Sequence, residues 1–318
     1  MAYEPVTHTR TNRSLARLPA GTDVSVTVHR YDGGSGPVVY VQGAQHGIEL
    51  NGPAALRRLH ERLLDAEIAG TVVVVPVVNP LAFDRRSYLA PSEYDARNPN
   101  LNRVWPGDAS GTLQERMAAR LWDLVTDADA TIDLHTGTAD MLEHVRFQRG
   151  DSIARDLAEV FGTAHLLADE DDIPPDANFR GKFRTAAARA GIPSITAELS
   201  NSRKVARPAI ETGVSGLWNA LREVGALPGE PDPTPDQTLL VDEAEPPRAA
   251  VSGLFELRSE LAVGKYVEAG ADVGSVYCPS TYEELQTVTA ETSGVVYSVA
   301  REAVVMAGER VAGIAPRA

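Results

Sequence analysis

Cysteine is almost absent from this chain: Cys278 is the single thiol in 318 residues. That excludes an intrachain disulfide and a thiolate-rich zinc site, and it fits a reducing cytoplasm. Lysine is scarce too. Lys182, Lys204 and Lys265 are the only lysines among 30 basic residues, set against 44 acidic ones for a formal net charge of −14. Such a balance leaves no basic face for phosphates and excludes nucleic acid as a partner. An acidic, arginine-weighted surface suits a salt-rich cytoplasm where self-repulsion is screened, and suits equally a GC-rich codon usage that exchanges lysine for arginine. Long apolar runs are missing as well. The longest, Thr71 to Val78, is too short to span a bilayer and contains Pro76. Met1-Ala2-Tyr3-Glu4-Pro5 lacks the basic-then-apolar layout of a signal peptide. The expectation is a soluble cytoplasmic protein with no membrane partner, and a homo-oligomer stays open. No phosphate-cradling loop and no Gly-x-Ser-x-Gly elbow occur, and Gly33-Gly34-Ser35-Gly36 precedes a strand instead of following one. Nucleotide enzymes and serine hydrolases are therefore disfavoured.

What is present is alternation. The length suffices for one large domain and a small one. Strand-like apolar runs fall at Val24–Arg30, Val38–Val41, Thr71–Val78, Ala130–Leu134 and Ser194–Leu199. Helical periodicity falls at Pro53–Asp65, Leu113–Thr126, Ile153–Phe161, Lys182–Ala190 and Ala206–Val224. This order predicts an α/β fold with a mixed, largely parallel sheet and helices on both faces. Proline and acidic residues crowd Pro228–Pro247, which marks a linker and divides residues 1–230 from 231–318. Beyond it, short alternating runs broken by glycine predict a small all-β domain. There the segment Val263–Val276 is echoed by Val304–Ile314, a pseudo-repeat that resembles barrel-sandwich (lipoyl-like) domains. The hairpin between the copies, around Cys278–Thr292, has no lysine for biotin or lipoate, so a structural role is expected and not a carrier role.

His46-Gly47-Ile48-Glu49 lies between the strand Val38–Val41 and the helix that starts near Pro53. A histidine nitrogen and a carboxylate oxygen three residues apart in such a loop can converge on one divalent cation. His135, at the end of Thr131-Ile132-Asp133-Leu134, is the candidate third ligand. Three protein ligands leave a position open for water, as a catalytic zinc requires. Glu198 ends another apolar strand, where a carboxylate is costly unless paired or functional. Singly, each is ordinary: a histidine after a strand, or a carboxylate near a helix N-terminus. Ligands of open α/β sheets gather beyond the carboxyl ends of strands, so three segments delivering these four groups form one signal. His8, His29, His60, His144 and His165 have no such context and are read as structural.

Asn79-Pro80-Leu81-Ala82-Phe83 and Leu101-Asn102-Arg103-Val104-Trp105-Pro106-Gly107 complete the pattern. By itself Asn102 beside Arg103 is either a fork of donors for a carboxylate or a proline-punctuated surface loop. With His46-Gly47-Ile48-Glu49, Asp133-Leu134-His135-Thr136-Gly137 and Glu198, these segments occur in the order of the succinylglutamate desuccinylase/aspartoacylase family, which the chain resembles over roughly its first 200 residues. The β-rich tail is similar too. That family is a branch of the zinc carboxypeptidase superfamily. The resemblance implies one zinc per chain on His46, Glu49 and His135, a substrate carboxylate held by Asn102 and Arg103, and Glu198 as general base. Asp133 either orients a zinc-binding histidine or pairs with backbone. The family also has an arginine after the Asn-Pro segment that polarises the scissile carbonyl. Here that spacing falls near Ser87-Tyr88, with Arg85 and Arg86 before it and Arg97 beyond; Arg86 is the first candidate. The implied activity is amide hydrolysis of an N-acyl amino acid or similar small N-acylated amine. A metallocarboxypeptidase and a non-catalytic anion-binding homologue are the alternatives, and four intact reactive residues argue against the second.

Overall fold

The computed structural model describes residues 2–137, 140–169, 181–242, 245–300 and 302–318. In chain order the larger part holds β1 (Glu4–Pro5), β2 (Thr7–Arg17), β3 (Asp23–Asp32), β4 (Gly34–Gly43), α1 (Asn51–Leu64), β5 (Glu67–Val75), α2 (Pro80–Arg85) and α3 (Leu113–Trp122). It continues with β6 (Ala130–Gly137), β7 (His144–Gln148), α4 (Ser152–Phe161), β8 (His165–Asp169), α5 (Phe183–Arg189), β9 (Ser194–Asn201), α6 (Arg207–Glu223) and β10 (Thr238–Val241). The strands lie in the order β10-β8-β7-β9-β6-β4-β5-β3-β2, and β1 pairs with β5 to complete a 10-stranded sheet. β5, β4, β6 and β9 run parallel. β7 turns antiparallel to β9, and β8 and β10 keep the direction of β7. The β2–β3 hairpin adds antiparallel strands at the other end. The sheet is mixed and largely parallel, as its apolar runs predict.

Period-two alternation sorts side chains onto two faces. Val39 and Val41, Val72 and Val74, Ile132 and Leu134, and Ile195, Ala197 and Leu199 enter one apolar layer with residues of α1, α4 and α6. Each such fully buried side chain contributes roughly 1.5–3 kcal/mol of transfer free energy. Their neighbours Tyr40, Val73 and Val75 enter a second layer with Met117, Leu121 and Phe183 of α3 and α5. On β6 and β9 that second face carries Asp133, His135, Thr196 and Glu198 instead. One face is apolar from β5 to β8 and carries His8 and His29 at its β2–β3 end; the other turns polar where β6 meets β9.

Periodicity alone misses β2, β7 and β8. β2 reads Thr-His-Thr-Arg-Thr-Asn-Arg at its start and is mostly exposed, so no apolar stripe announces it. β7 is five residues long and gives one face to His144, Arg146 and Gln148. β5 stops at Val75, because Pro76 cannot donate to a ladder. The expected linker also contains a strand: β10 pairs in parallel with β8, and residues 243–244 of that segment lie outside the described residues. The outer edge of β10 is covered by residues near the chain's end, with Val241 N–H donating to Pro316 O and Ala318 N–H to Leu239 O.

The remaining residues form β11 (Gly253–Leu257), β12 (Tyr266–Val267), β13 (Asp272–Tyr277), β14 (Glu284–Thr289), β15 (Gly294–Val299), β16 (Val304–Val305) and β17 (Ala312–Ala315). They make a four-stranded sheet, β14-β13-β11-β16, and a three-stranded one, β12-β15-β17. Phe255, Val273, Val276, Val296, Val311 and Ile314 fill a common core. The two halves of the sequence echo exchange sheets: β12 and β16 lie in different sheets, as do β13 and β17. Tyr297 and Ala315 join this part to Leu167 and Leu240 of the large sheet. Among the described residues no helix is long and apolar enough to cross a membrane.

Candidate metal centre

The loop after β4, Ala44 to Glu49, is buried throughout. Two glycines permit its position. A Cβ on Gly47 would lie 2.1 Å from the backbone carbon and oxygen of Ala82 in α2. A Cβ on Gly52, in the first turn of α1, would lie 2.9 Å from the Leu134 side chain of β6. These approaches press the loop between α2 and β6, so that His46 and Glu49 meet His135.

His46 Nδ1 lies 2.8 Å from Glu49 Oε1, and His135 Nδ1 lies 2.9 Å from Glu49 Oε2. One ligand atom from each of the three residues falls within 4.8 Å of the other two, and all three residues are buried. Beyond that approach of His135, Glu49 Oε2 is shielded from solvent and has no hydrogen-bond partner among the described residues. Two imidazole nitrogens and a carboxylate around one point, with a buried oxygen left over, fit a borderline dication. Burial opposes charge here, but the His46 and His135 rings hold the Glu49 carboxyl down at about 2. Burial likewise opposes charge on His135, and Asp133 and Glu49 reverse it, raising His135 well above its ordinary value. A proton on His135 does the neutralising that a cation would do, and must leave for a cation to bind.

An outer web holds these groups. Asp133 Oδ2 is 2.7 Å from His135 Nε2, fixing the ring through the nitrogen that faces away from Glu49. Gln45 Nε2 donates to the same oxygen at 2.6 Å, and Gln42 Nε2 donates to Oδ1 at 3.1 Å. Gln45 is itself fixed: its Oε1 accepts from the Trp105 indole at 2.7 Å, and its carbonyl accepts from Asn79 Nδ2 at 3.0 Å. Of this web, sequence singles out Asp133 alone. The available signal was two glutamines flanking a buried turn, each needing partners.

Glu198 stands opposite His135 in the β6–β9 register and opposite His144 across the β7–β9 pair. Its Oε2 is shielded from solvent and has no hydrogen-bond partner among the described residues. Burial raises the Glu198 carboxyl; His135 pulls it down, Glu49 and Asp133 push it up, and the net shift is upward. His144, expected to be merely structural, is buried with a ring nitrogen on the Leu142 carbonyl at 2.9 Å. Burial, with the Arg146 charge, drives it to about 3, so the ring is neutral near pH 7.

The loops between α2 and α3 supply the remaining candidates. Tyr88 stacks on His46 with centroids 3.9 Å apart and planes 17° from parallel. It lies at the spacing, near Ser87-Tyr88, where the resemblance leads one to expect an arginine. Arg86 is exposed in left-handed conformation at the end of α2, and Arg85 and Arg97 are exposed as well. Asn102 Oδ1 accepts from Phe183 N–H at 2.9 Å, tying this turn to the start of α5. Arg103 is exposed, and its guanidinium donates to the Asn102 carbonyl at 2.6 Å. Asn100 Oδ1 accepts from Asn102 N–H at 2.9 Å and lies 3.3 Å from His46 Nε2, linking the turn to the cluster. The fold thus gathers His46, Glu49, His135 and Glu198 at one sheet edge, with the Asn102–Arg103 turn alongside, and leaves Arg86 on the surface.

A family model described as the succinylglutamate desuccinylase/aspartoacylase catalytic domain matches residues 35–224. The N-alpha-acetyl-L-2,4-diaminobutyric acid deacetylase of Halomonas elongata is 26% identical over 281 residues, covering 82% of this chain and 78% of that protein. Among solved structures, the product-bound ectoine utilization protein EutE (DoeB) of Ruegeria pomeroyi superposes at a TM-score of 0.84 with 23% identity, over 98% of this chain and 99% of the other. A succinylglutamate desuccinylase/aspartoacylase structure from Rhodobacter sphaeroides gives a TM-score of 0.84 with 24% identity, over 99% and 97% of the two chains.

Proposed function

Since the chain belongs to the succinylglutamate desuccinylase/aspartoacylase family, we propose that it is a zinc-dependent deacylase that hydrolyses the amide bond of an N-acyl amino acid or a similar small N-acylated amine. The observation that carries this reading is the buried convergence of His46, Glu49 and His135 beside Glu198. The Halomonas relative, a deacetylase of an N-acetylated amino acid by its name, supports the same substrate class.

In this reading His46, His135 and Glu49 would hold one zinc, which when bound would supply a Lewis acid that acidifies water and polarises a carbonyl. Glu198 takes the proton of the attacking water on the oxygen that has no partner among the described residues, and hands it to the departing amine. Its raised pKa brings base and conjugate acid closer to the working pH, which suits both halves of that duty. Asp133 holds the His135 ring so that Nδ1 faces Glu49. Asn102 and Arg103 receive the substrate carboxylate, the amide presenting its NH2 because its oxygen is engaged by Phe183. Arg86, at the end of α2, is the arginine assigned to the developing oxyanion, and Tyr88 forms the wall against His46.

Residues 1–230, with β10, make up the catalytic part of this cytoplasmic enzyme. Residues 231–318 otherwise comprise the linker and a barrel-sandwich-like unit, a reading supported by the exchange of sheets between the repeat halves. The test is zinc content together with amine release from a panel of N-acetyl and N-succinyl amino acids. One zinc per chain with amine release is the expected result. Release of C-terminal residues from peptides instead would make the chain a carboxypeptidase, and a zinc-loaded protein that turns over neither would be a binding homologue.

A further inference from the structure

A second group of ligand-bearing side chains lies away from Glu198. His8 and His29 sit on the antiparallel pair β2–β3, where His8 faces Tyr31 and His29 faces Arg10 in register. His8 and His29 are therefore diagonal neighbours on one face of the hairpin. His60 reaches them from α1, nine residues into the helix, or about 14 Å along its axis from Asn51. Ring centroids are 5.3 Å apart for His8 and His29, 4.9 Å for His8 and His60, and 5.5 Å for His29 and His60. One nitrogen from each ring lies within 4.8 Å of the other two.

We propose that His8, His29 and His60 form a second metal site, which takes one borderline transition-metal dication: zinc, copper(II) or nickel(II). His8 Nε2 and His29 Nδ1 already face each other at 3.1 Å. Metal–imidazole bonds of about 2.0–2.1 Å separate two ligand nitrogens of a tetrahedral ion by roughly 3.3 Å. His60 completes the set, with one ring nitrogen already within 4.8 Å of a nitrogen of each of the other two. The hydroxyl of buried Tyr31 is 2.6 Å from His60 Nδ1, which leaves Nε2 for the metal and orients the ring as an outer partner does. Three imidazoles without a carboxylate select against calcium and magnesium, which need oxygen ligands. A metal here staples the β2–β3 hairpin to α1.

The test uses the full chain without an affinity tag, stripped by chelator, loaded with Zn2+ or Cu2+, and dialysed. Wild type is expected to retain two metals per chain, and His8→Gln/His29→Gln/His60→Gln one, with hydrolysis intact. His135→Ala isolates the three-histidine site and is expected to keep one Cu2+ with a nitrogen-ligand electron paramagnetic resonance signal. Its failure is thus separable from failure of the hydrolase reading. If the triple variant does not fold, His8→Gln in the His135→Ala background serves. Its copper affinity should fall by more than the roughly 10–100-fold cost of losing an outer partner. Equal metal content in the triple variant and wild type, or an unchanged copper affinity on losing His8, overturns the proposal.

Discussion

Two histidine clusters flank α1, one just before its first turn and one beside its third, and they differ in what surrounds them. His46 and His135 share Glu49, lie buried, and rest on Asp133, Gln45 and Trp105. His8, His29 and His60 are half-exposed, show no acidic partner among the described residues, and rest on Tyr31 with Arg10 nearby. The first cluster is preorganised: its charges compensate one another before any cation arrives, and its rings cannot turn without breaking the web. The second is held by ring stacking and by the Tyr31 hydroxyl on His60, and it stands half open to solvent. Burial and an acidic partner separate a site built to activate a ligand from one that only grips it.

The largest expected break in this comparison is His135→Ala, which should release the buried metal on dialysis and abolish hydrolysis while leaving copper uptake by the other cluster intact. Metal analysis and an amine-release assay read both halves. Next is Glu198→Gln, which should keep its zinc and lose kcat by roughly 10²–10⁴-fold; near-normal turnover would remove Glu198 from the base role. Asp133→Asn should weaken metal binding at the buried cluster by about 10–100-fold, because His135 loses the carboxylate that orients it. A competition titration with a chromogenic chelator measures that change. Arg103→Ala should chiefly raise KM for substrates bearing a carboxylate, and an unchanged KM would exclude it from the substrate site.

Acidity sharpens the same contrast. In the metal-free chain, Glu49 lies at about 2 against an ordinary 4.5, so its stabilisation is present above pH 4.5 and lost as pH falls toward 2. His135 lies well above its ordinary 6.5, so its stabilisation is present below pH 6.5 and lost as pH rises through the raised value. The metal-free protein should therefore melt highest between pH 4.5 and 6.5. Bound zinc replaces the proton, so the loaded protein should hold its melting temperature above that window and lose metal in acid. Melting curves of both forms across pH check the sign; the same profile with and without zinc would contradict it.

The apolar face of the sheet was legible because Val39, Val41, Val72, Val74, Ile195 and Ala197 repeat with period two in runs long enough to see. His46, Glu49, His135 and Glu198 were legible because reactive residues close apolar runs at strand ends. β7 was not, since one of its faces is given over to His144 and Arg146, and the signal that would mark a strand is spent on polar groups. The support of His135 by Gln45 and Trp105 was hidden for another reason: those residues are 60 positions apart, and only folding brings them together. The same holds for His8, His29 and His60, whose meeting depends on the pairing register of β2 with β3 and on the seating of α1. Tyr88 was foreshadowed only as the position where an arginine should have been.

The bonds from Leu239 and Val241 to residues 316–318 have a practical consequence. Trimming those few residues would turn β10 into an open border of the sheet, with N–H and C=O groups free to recruit another chain. Cutting the protein at 230 would move the same exposure inward to β8. Either truncation invites self-association rather than a clean excision, so the β-rich tail works as a selvedge that keeps the large sheet from fraying.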